Sequence, residues 1–184
     1  ALGGDPDGRD RAVESYVVFG SIGWSLPSLS LSSLDGTNGF QINGDRIESG
    51  RSVSNAGDLN GDGVDDVIIG APLAGESYAG QSYVVFGSKN WSLAELNLSS
   101  LDGTNGFQIN GIDADDSSGY SVSSAGDVNG DGIDDVIIGA FLADPDGKSN
   151  AGETYVVFGT KIDSSPTGSV EITGTAAAGE TLTA

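Results

Sequence analysis

Two nine-residue loops carry oxygen-bearing side chains at a spacing that suits a divalent cation. The first is Asp-Leu-Asn-Gly-Asp-Gly-Val-Asp-Asp at residues 58–66, and the second, at residues 127–135, repeats it with two apolar changes. Acid or amide side chains occupy loop positions 1, 3, 5 and 9, glycine occupies position 6, and position 7 offers its main-chain carbonyl. Calcium takes about six to eight oxygen ligands, and this alternation wraps a chain around such an ion. The predicted ligands are Asp58, Asn60, Asp62, Val64, Asp66, Asp127, Asn129, Asp131, Ile133 and Asp135.

Electrostatics favours a bound ion over an empty loop. Carboxylates about 4 Å apart repel by roughly 1 kcal/mol per pair in water and several-fold more near a protein surface. A divalent cation reverses the sign of this term, so we expect about two calcium ions. Magnesium is less suited, because the ligand set is all protein and flexible. Asp65 and Asp134, at loop position 8, are predicted to be solvated rather than ligating.

Two other interpretations account for parts of the loop sequence. A helix-loop-helix calcium site needs a bidentate Glu at position 12, but Ile69 and Ile138 stand there. Asp-Gly and Asn-Gly are also ordinary hairpin-turn sequences, and one such loop would indicate nothing more. The agreement of two loops at all four side-chain positions favours the metal.

The loops belong to a longer repeat. Leu-Asp-Gly-Thr-Asn-Gly-Phe-Gln-Ile-Asn-Gly stands at residues 34–44 and again at 101–111, and Tyr-Val-Val-Phe-Gly begins at Tyr16, Tyr83 and Tyr155. Within one unit the pattern predicts four strands, at residues 51–54, 67–71, 83–87 and 106–110, separated by glycine-rich turns. Residues 92–98 are predicted to hold at most one helical turn, because serine and asparagine oppose a longer helix.

The apolar pattern predicts sheets that are buried on both faces. Residues 67–69 and 83–86 are apolar at consecutive positions, and consecutive residues of a strand point to opposite faces. A tandem repeat with this property is typical of propeller blades, each packed between its neighbours. A sandwich with one face in water would show cleaner alternation. We therefore predict an all-β fold of tandem four-stranded antiparallel blades with glycine-rich calcium loops.

Composition excludes several classes of function. Seven Lys plus Arg against 27 Asp plus Glu give a formal net charge of −20, which repels nucleic acids and anionic membrane surfaces. No apolar run approaches the ~18 residues that a membrane span needs, so membrane insertion is not expected. The chain has no His and no Cys, and its closely spaced carboxylates are accounted for as metal ligands. We expect no catalysis within these residues.

These residues resemble the FG-GAP repeat, the unit of the integrin α-chain β-propeller and of many large bacterial surface and adhesin-like proteins. Phe86-Gly87 matches the Phe-Gly element, residues 70–72 match Gly-Ala-Pro, and the D-x-N-x-D-G-x-x-D loop lies between the first two strands of the blade. Phe141 replaces the proline in the second unit. The resemblance implies that calcium braces hairpins at one rim, that other loops engage ligands, and that the protein is secreted or at the cell surface.

The resemblance also implies a domain plan. Residues 1–162 form a partial propeller, with a half blade at 1–50, a full blade at 51–118 and a partial blade at 119–162. Residues 163–184 form a linker and the start of an immunoglobulin-like repeat. Because propellers close with about 4 to 8 blades, the ring is incomplete. Self-association, a partner chain or further blades would then cover the exposed blade faces.

The sequence is compatible with two functions. The favoured one is a non-catalytic adhesion or scaffold module whose loops at residues 74–79 and 143–150 meet an unknown protein or glycan. The alternative is an accessory propeller of a secreted hydrolase whose catalytic part lies outside this chain. Trp24 and Trp91 occupy equivalent places in the repeat, which favours a role in the core over stacking on a sugar.

Overall fold

The computed structural model describes residues 12–20 and 27–162, which form ten β-strands and no α-helix. The first five strands are β1 (Ala12–Val18), β2 (Gly39–Ile47), β3 (Ser52–Gly57), β4 (Asp66–Ala71) and β5 (Gln81–Val85). The others are β6 (Glu95–Asn97), β7 (Gly106–Asn110), β8 (Ser118–Gly126), β9 (Asp135–Ala140) and β10 (Glu153–Val157). The predicted all-β class is confirmed for this part of the chain. Residues 163–184, with the predicted linker and immunoglobulin-like start, lie outside the described residues.

The central sheet is a four-stranded antiparallel blade. Its strand order is β3-β4-β5-β7, and its register places Ile69 opposite Val53 on one side and Tyr83 on the other. Ile68 and Ile69 point to opposite faces of the sheet, and both are 0% exposed. The prediction of a blade buried on both faces is confirmed here.

The two flanking sheets have three strands each within the described residues, in the orders β1-β2-β6 and β10-β9-β8. One pair departs from the predicted antiparallel pattern, because β6 joins β2 in parallel and places Leu96 opposite Ile42. Residues 92–98, predicted to hold at most one helical turn, include the short strand β6, and a 3-10 turn follows at Leu98–Ser100. Leu96 and Leu98 are both buried, and their alternation with Asn97 suits a strand end.

Two apolar clusters join the three sheets. The cluster between the first and central sheets includes Phe40, Ile42, Ile69, Tyr83 and Val85. The cluster between the central and third sheets includes Ile68, Val84, Phe86, Val122, Val136 and Ile138. Full burial of such a side chain contributes about 1.5 to 3 kcal/mol. Stacking of the sheets therefore brings β3 and β4 beside β8 and β9, the strands that carry the two acidic loops.

Trp91 belongs to the packing of the first sheet. Its ring stacks on Phe40 with 4.0 Å between ring centroids, and its indole N–H donates to the carbonyl of Leu93 at 2.9 Å. This placement agrees with a role in the core. Trp24 lies outside the described residues.

The third sheet has an open face where the central sheet has a covered one. Val84 is 0% and Phe86 6% exposed, whereas their counterparts Val156 and Phe158 are 42% and 56% exposed. The same five-residue sequence therefore occupies a buried strand in one blade and a half-exposed strand in the next. What differs is the neighbouring sheet.

Candidate metal centre

The two acidic loops occupy equivalent places in adjacent sheets. The first loop, residues 58–66, joins β3 to β4, and the second loop, residues 127–135, joins β8 to β9. In each case a glycine precedes the loop with a positive φ, +70° at Gly57 and +66° at Gly126. Each glycine pairs with the aspartate at loop position 9 across an irregularity in the ladder. Each loop thus closes an antiparallel hairpin.

Positions 1, 3 and 5 of the first loop lie close together. The Asp62 N–H donates to Asp58 Oδ1 and to Asn60 Oδ1, both at 2.9 Å. Gly63 N–H donates to Asp58 Oδ2 at 2.8 Å, and Val64 N–H donates to Asp62 Oδ1 at 2.8 Å. Three oxygen-bearing side chains are therefore held against the backbone of one tight turn.

The second loop repeats this bonding. The Asp131 N–H donates to Asp127 Oδ1 at 3.0 Å and to Asn129 Oδ1 at 2.9 Å. Gly132 N–H donates to Asp127 Oδ2 at 2.8 Å, and Ile133 N–H donates to Asp131 Oδ1 at 2.9 Å. Because the same conformation arises twice in different surroundings, it is encoded by the loop sequence itself.

Asp66, at position 9 of the first loop, is turned inward. It is 1% exposed, and its carboxylate accepts hydrogen bonds from Leu59 N–H at 3.0 Å and Gly87 N–H at 2.8 Å. Burial raises the pKa of Asp66 to about 6, against the effect of these two hydrogen bonds, and the charges of Asp62 and Asp58 raise it further. The structure thus brings the position 9 carboxylate within electrostatic reach of positions 1 and 5.

Asp135 makes the equivalent hydrogen bonds in the second loop. It is 0% exposed and accepts hydrogen bonds from Val128 N–H at 2.8 Å and Gly159 N–H at 3.0 Å. Sequence reasoning assigned only a ligand role to this position. In the structure it also ties the loop to the chain that follows the third strand of the blade.

The glycine of the Phe-Gly element is the sequence feature that indicates this contact between the loop and the end of the third strand. A Cβ added to Gly87 would lie 2.3 Å from the carbonyl oxygen of Asp65, and one added to Gly159 would lie 2.3 Å from that of Asp134. Only glycine allows the backbone to approach the acidic loop so closely. The glycine after each Tyr-Val-Val-Phe could therefore have indicated a contact with the loop.

The two aspartates at position 8 differ from each other. Asp65 is exposed and accepts a hydrogen bond from the Asn55 side chain in its own sheet at 3.2 Å. Asp134 is half-buried and accepts the N–H of Asp58, in the neighbouring sheet, at 3.0 Å. The sequence predicts position 8 to be solvated rather than ligating, and it does not reveal the contact that Asp134 makes with the first loop, which sheet stacking brings against it.

Replacement of Gly57 by alanine should lower the free energy of unfolding more than replacement of Gly126. Both have a positive φ, so alanine should cost about 1 kcal/mol of the free energy of unfolding at either site. A Cβ at Gly57 would also lie 2.3 Å from Asp134 Oδ2, whereas Gly126 has open space. We expect urea denaturation to give a loss of at least about 2 kcal/mol for Gly57→Ala and about half that for Gly126→Ala. Equal losses would contradict the contact.

The loops offer a donor set that fits calcium. Within the described residues no three acidic side chains form a coordination shell by themselves, so a shell would also need the amide oxygen of Asn60 or Asn129 and a main-chain carbonyl. An oxygen that accepts one N–H keeps a second lone pair for a cation. The described part of the chain has ion pairs between Arg51 and Glu48 and between Lys148 and Asp146. Neither pair includes a carboxylate of the two loops. A hard cation such as calcium prefers a donor set made up only of oxygens.

Comparison with known proteins places both loops in recognised repeats. Residues 49–85 and 118–157 match the FG-GAP repeat. Integrin alpha pat-2 of Caenorhabditis elegans is 41% identical over 92 residues, covering 50% of this chain and 7% of that protein. Integrin alpha-5 of Xenopus laevis is 29% identical over 171 residues, covering 85% and 15%. Phosphatidylinositol-glycan-specific phospholipase D of Bos taurus is 34% identical over 149 residues, covering 77% and 16%. The chain spans less than a fifth of the length of these relatives.

Proposed function

We propose that this chain is a calcium-binding, non-catalytic propeller module with an adhesion or scaffold role. One ion would be held at each loop, by Asp58, Asn60, Asp62, Asp66 and the carbonyl of Val64, and by Asp127, Asn129, Asp131, Asp135 and the carbonyl of Ile133. Calcium supplies positive charge that offsets repulsion among the carboxylates. The protein residues orient the oxygens and tie each loop to its own blade.

The observation that supports this proposal is the matching pair of loops. Two hairpins in adjacent sheets share one pattern of side-chain to backbone hydrogen bonds, and both carry a buried aspartate at position 9. An ordinary hairpin turn needs no buried carboxylate, because burial of an acid costs free energy. A cation at the same loop would offset part of that cost.

Calorimetric titration of the chelated protein with calcium tests the proposal. We expect about two ions per chain and a higher melting temperature, since a site at tenfold excess over its dissociation constant adds about 1.4 kcal/mol. Asp62→Ala should remove one site and Asp131→Ala the other, because the two ligand sets share no residue. Absence of binding at millimolar calcium in the wild-type chain would contradict the proposal.

The second part of the proposal concerns location and partners. Extracellular modules commonly bind calcium at about 10⁻⁴ to 10⁻³ M, so such sites would fill outside cells. A protein or glycan partner would meet the loops at the ends of β4 and β9 away from calcium. Four residues of these loops have a positive φ, namely Ser77, Tyr78, Asp146 and Asn150. Backbone strain of this kind is concentrated in segments that bind ligands. Among the described residues, no helix has the length and apolarity of a membrane span.

A second candidate function has one observation in its favour. The similarity to the phospholipase D covers 77% of this chain, and that relative is named as an enzyme. On this view the propeller would accompany a secreted hydrolase whose catalytic part lies elsewhere. The sequence has no His or Cys, so we assign no catalytic group to it. The full gene distinguishes the two: a histidine-bearing hydrolase domain favours this candidate, and further repeats favour adhesion.

A further inference from the structure

We propose that Asp134 is a positioning residue that couples the two calcium loops across the boundary between the central and third sheets. The inference rests on the proposed function, because it concerns what calcium at one loop does to the other. It assigns no ligand role to Asp134 itself.

The first element of the coupling is a reciprocal contact between the loops. The Asp58 N–H donates to Asp134 Oδ2 at 3.0 Å, and the Asp134 N–H donates to the Asp58 carbonyl at 3.4 Å. A Cβ at Gly57 would overlap Asp134 Oδ2, so the glycine makes room for this approach. Asp58 is the predicted ligand at position 1, and its backbone is thus held by the other loop.

The second element is a pair of backbone hydrogen bonds to the next two residues of the first loop. The carbonyl of Leu59 accepts the N–H of Thr160 at 3.0 Å, and the carbonyl of Asn60 accepts the N–H of Ile162 at 2.9 Å. Lys161 lies between these two donors and packs on Gly61, whose added Cβ would stand 3.1 Å from Lys161 Cγ. The first three residues of the loop are therefore held by Asp134 and by the segment that follows β10.

The contact is asymmetric, because it buries residues of the first loop whose counterparts in the second loop are exposed. Leu59 and Asn60 are 3% and 4% exposed, whereas Val128, the counterpart of Leu59, is 58% exposed. Asp65, the counterpart of Asp134, bonds within its own sheet to Asn55. The first loop is preorganised by its neighbour and should bind calcium more tightly than the second, because less ordering remains to be done on binding.

The coupling follows from the position of Asp134 in the chain. Ile133 and Asp135, its two neighbours, are predicted ligands of the second ion. An ion at the second loop would restrict the residues on both sides of Asp134 and so stabilise its bond to Asp58. By linkage, an ion at the first loop would favour the second to the same degree.

The test isolates the second ion and observes the first loop. In Asp62→Ala protein, which is expected to lose the first site, hydrogen exchange of the Asp58 amide is measured with chelator and with saturating calcium. Loading of the second loop should slow this exchange at least about fivefold. The slowing should disappear when Asp134→Ala is added and persist when Asp65→Ala is added. Asp65→Ala removes an equal charge at the equivalent position.

The outcomes separate the coupling from the proposed function. Calorimetry on the same Asp62→Ala protein shows whether the second loop binds calcium; no binding overturns the proposed function and the coupling with it. Binding without slower Asp58 exchange, or slowing that survives Asp134→Ala, overturns the coupling alone. If Asp134→Ala does not fold, Asp134→Asn replaces it, because the amide keeps the shape and loses the charge. In Asp62→Ala protein that also carries Asp134→Asn, the slowing of Asp58 exchange should shrink, because an amide oxygen is a weaker acceptor than a carboxylate. Undiminished slowing in this protein overturns the coupling.

Discussion

Replacement of Phe86 by alanine is expected to lower the free energy of unfolding by about 3 to 5 kcal/mol. The same change at Phe158 should cost less than about 1 kcal/mol. Phe86 is 6% exposed and Phe158 56% exposed, although both end the sequence Tyr-Val-Val-Phe. Phe86 packs in the cluster between the central and third sheets and lies 5.8 Å from Phe107, measured between ring centroids. Its removal should leave a cavity, while Phe158 already faces solvent.

Urea denaturation of the two variants, side by side with the wild type, measures this difference. Val84→Ala and Val156→Ala form a second matched pair, with exposed fractions of 0% and 42%. We expect the same order at both pairs, with the m-value unchanged. Similar losses in Phe86→Ala and Phe158→Ala would show that a further surface covers the third sheet in solution, contrary to the exposure described here.

These pairs show how far the sequence predicts the fold. Apolar residues at consecutive positions predicted strands buried on both faces, and β4 and β5 have this property. The same letters in β10 are half-exposed, because burial depends on whether another sheet lies alongside. The parallel pairing of β6 with β2 was also missed. It joins residues of two different repeat units, and no local pattern specifies such a partner.

The candidate site also has some contacts that the sequence predicts and one that it does not. The bonds that shape each loop connect residues two to five positions apart, so the loop sequence alone is enough to predict the turn. The bond between Asp58 and Asp134 spans 76 positions. It exists because two sheets stack in a particular register, and position 8 of the loop looks like any solvated aspartate without that knowledge.

Asp66→Ala is expected to lower the free energy of unfolding by about 2 to 4 kcal/mol even with calcium removed by chelator. The Asp66 carboxylate accepts two N–H groups, from Leu59 and Gly87, and the residue is 1% exposed. Alanine would leave both donors without a partner, the Leu59 N–H in a buried site and the Gly87 N–H in a part-buried one. Relief of repulsion with Asp58 and Asp62 offsets a part of the loss.

Asp62→Ala is the matched comparison, because Asp62 is an exposed predicted ligand in the same loop. In chelator it should cost less than about 1 kcal/mol, and in calcium it should lose the further stabilisation that an ion provides. Denaturation of both variants with and without calcium therefore separates the structural role of position 9 from the metal role of position 5. A chelated Asp66→Ala protein as stable as the wild type would contradict this prediction, because the two backbone donors would then have found other partners.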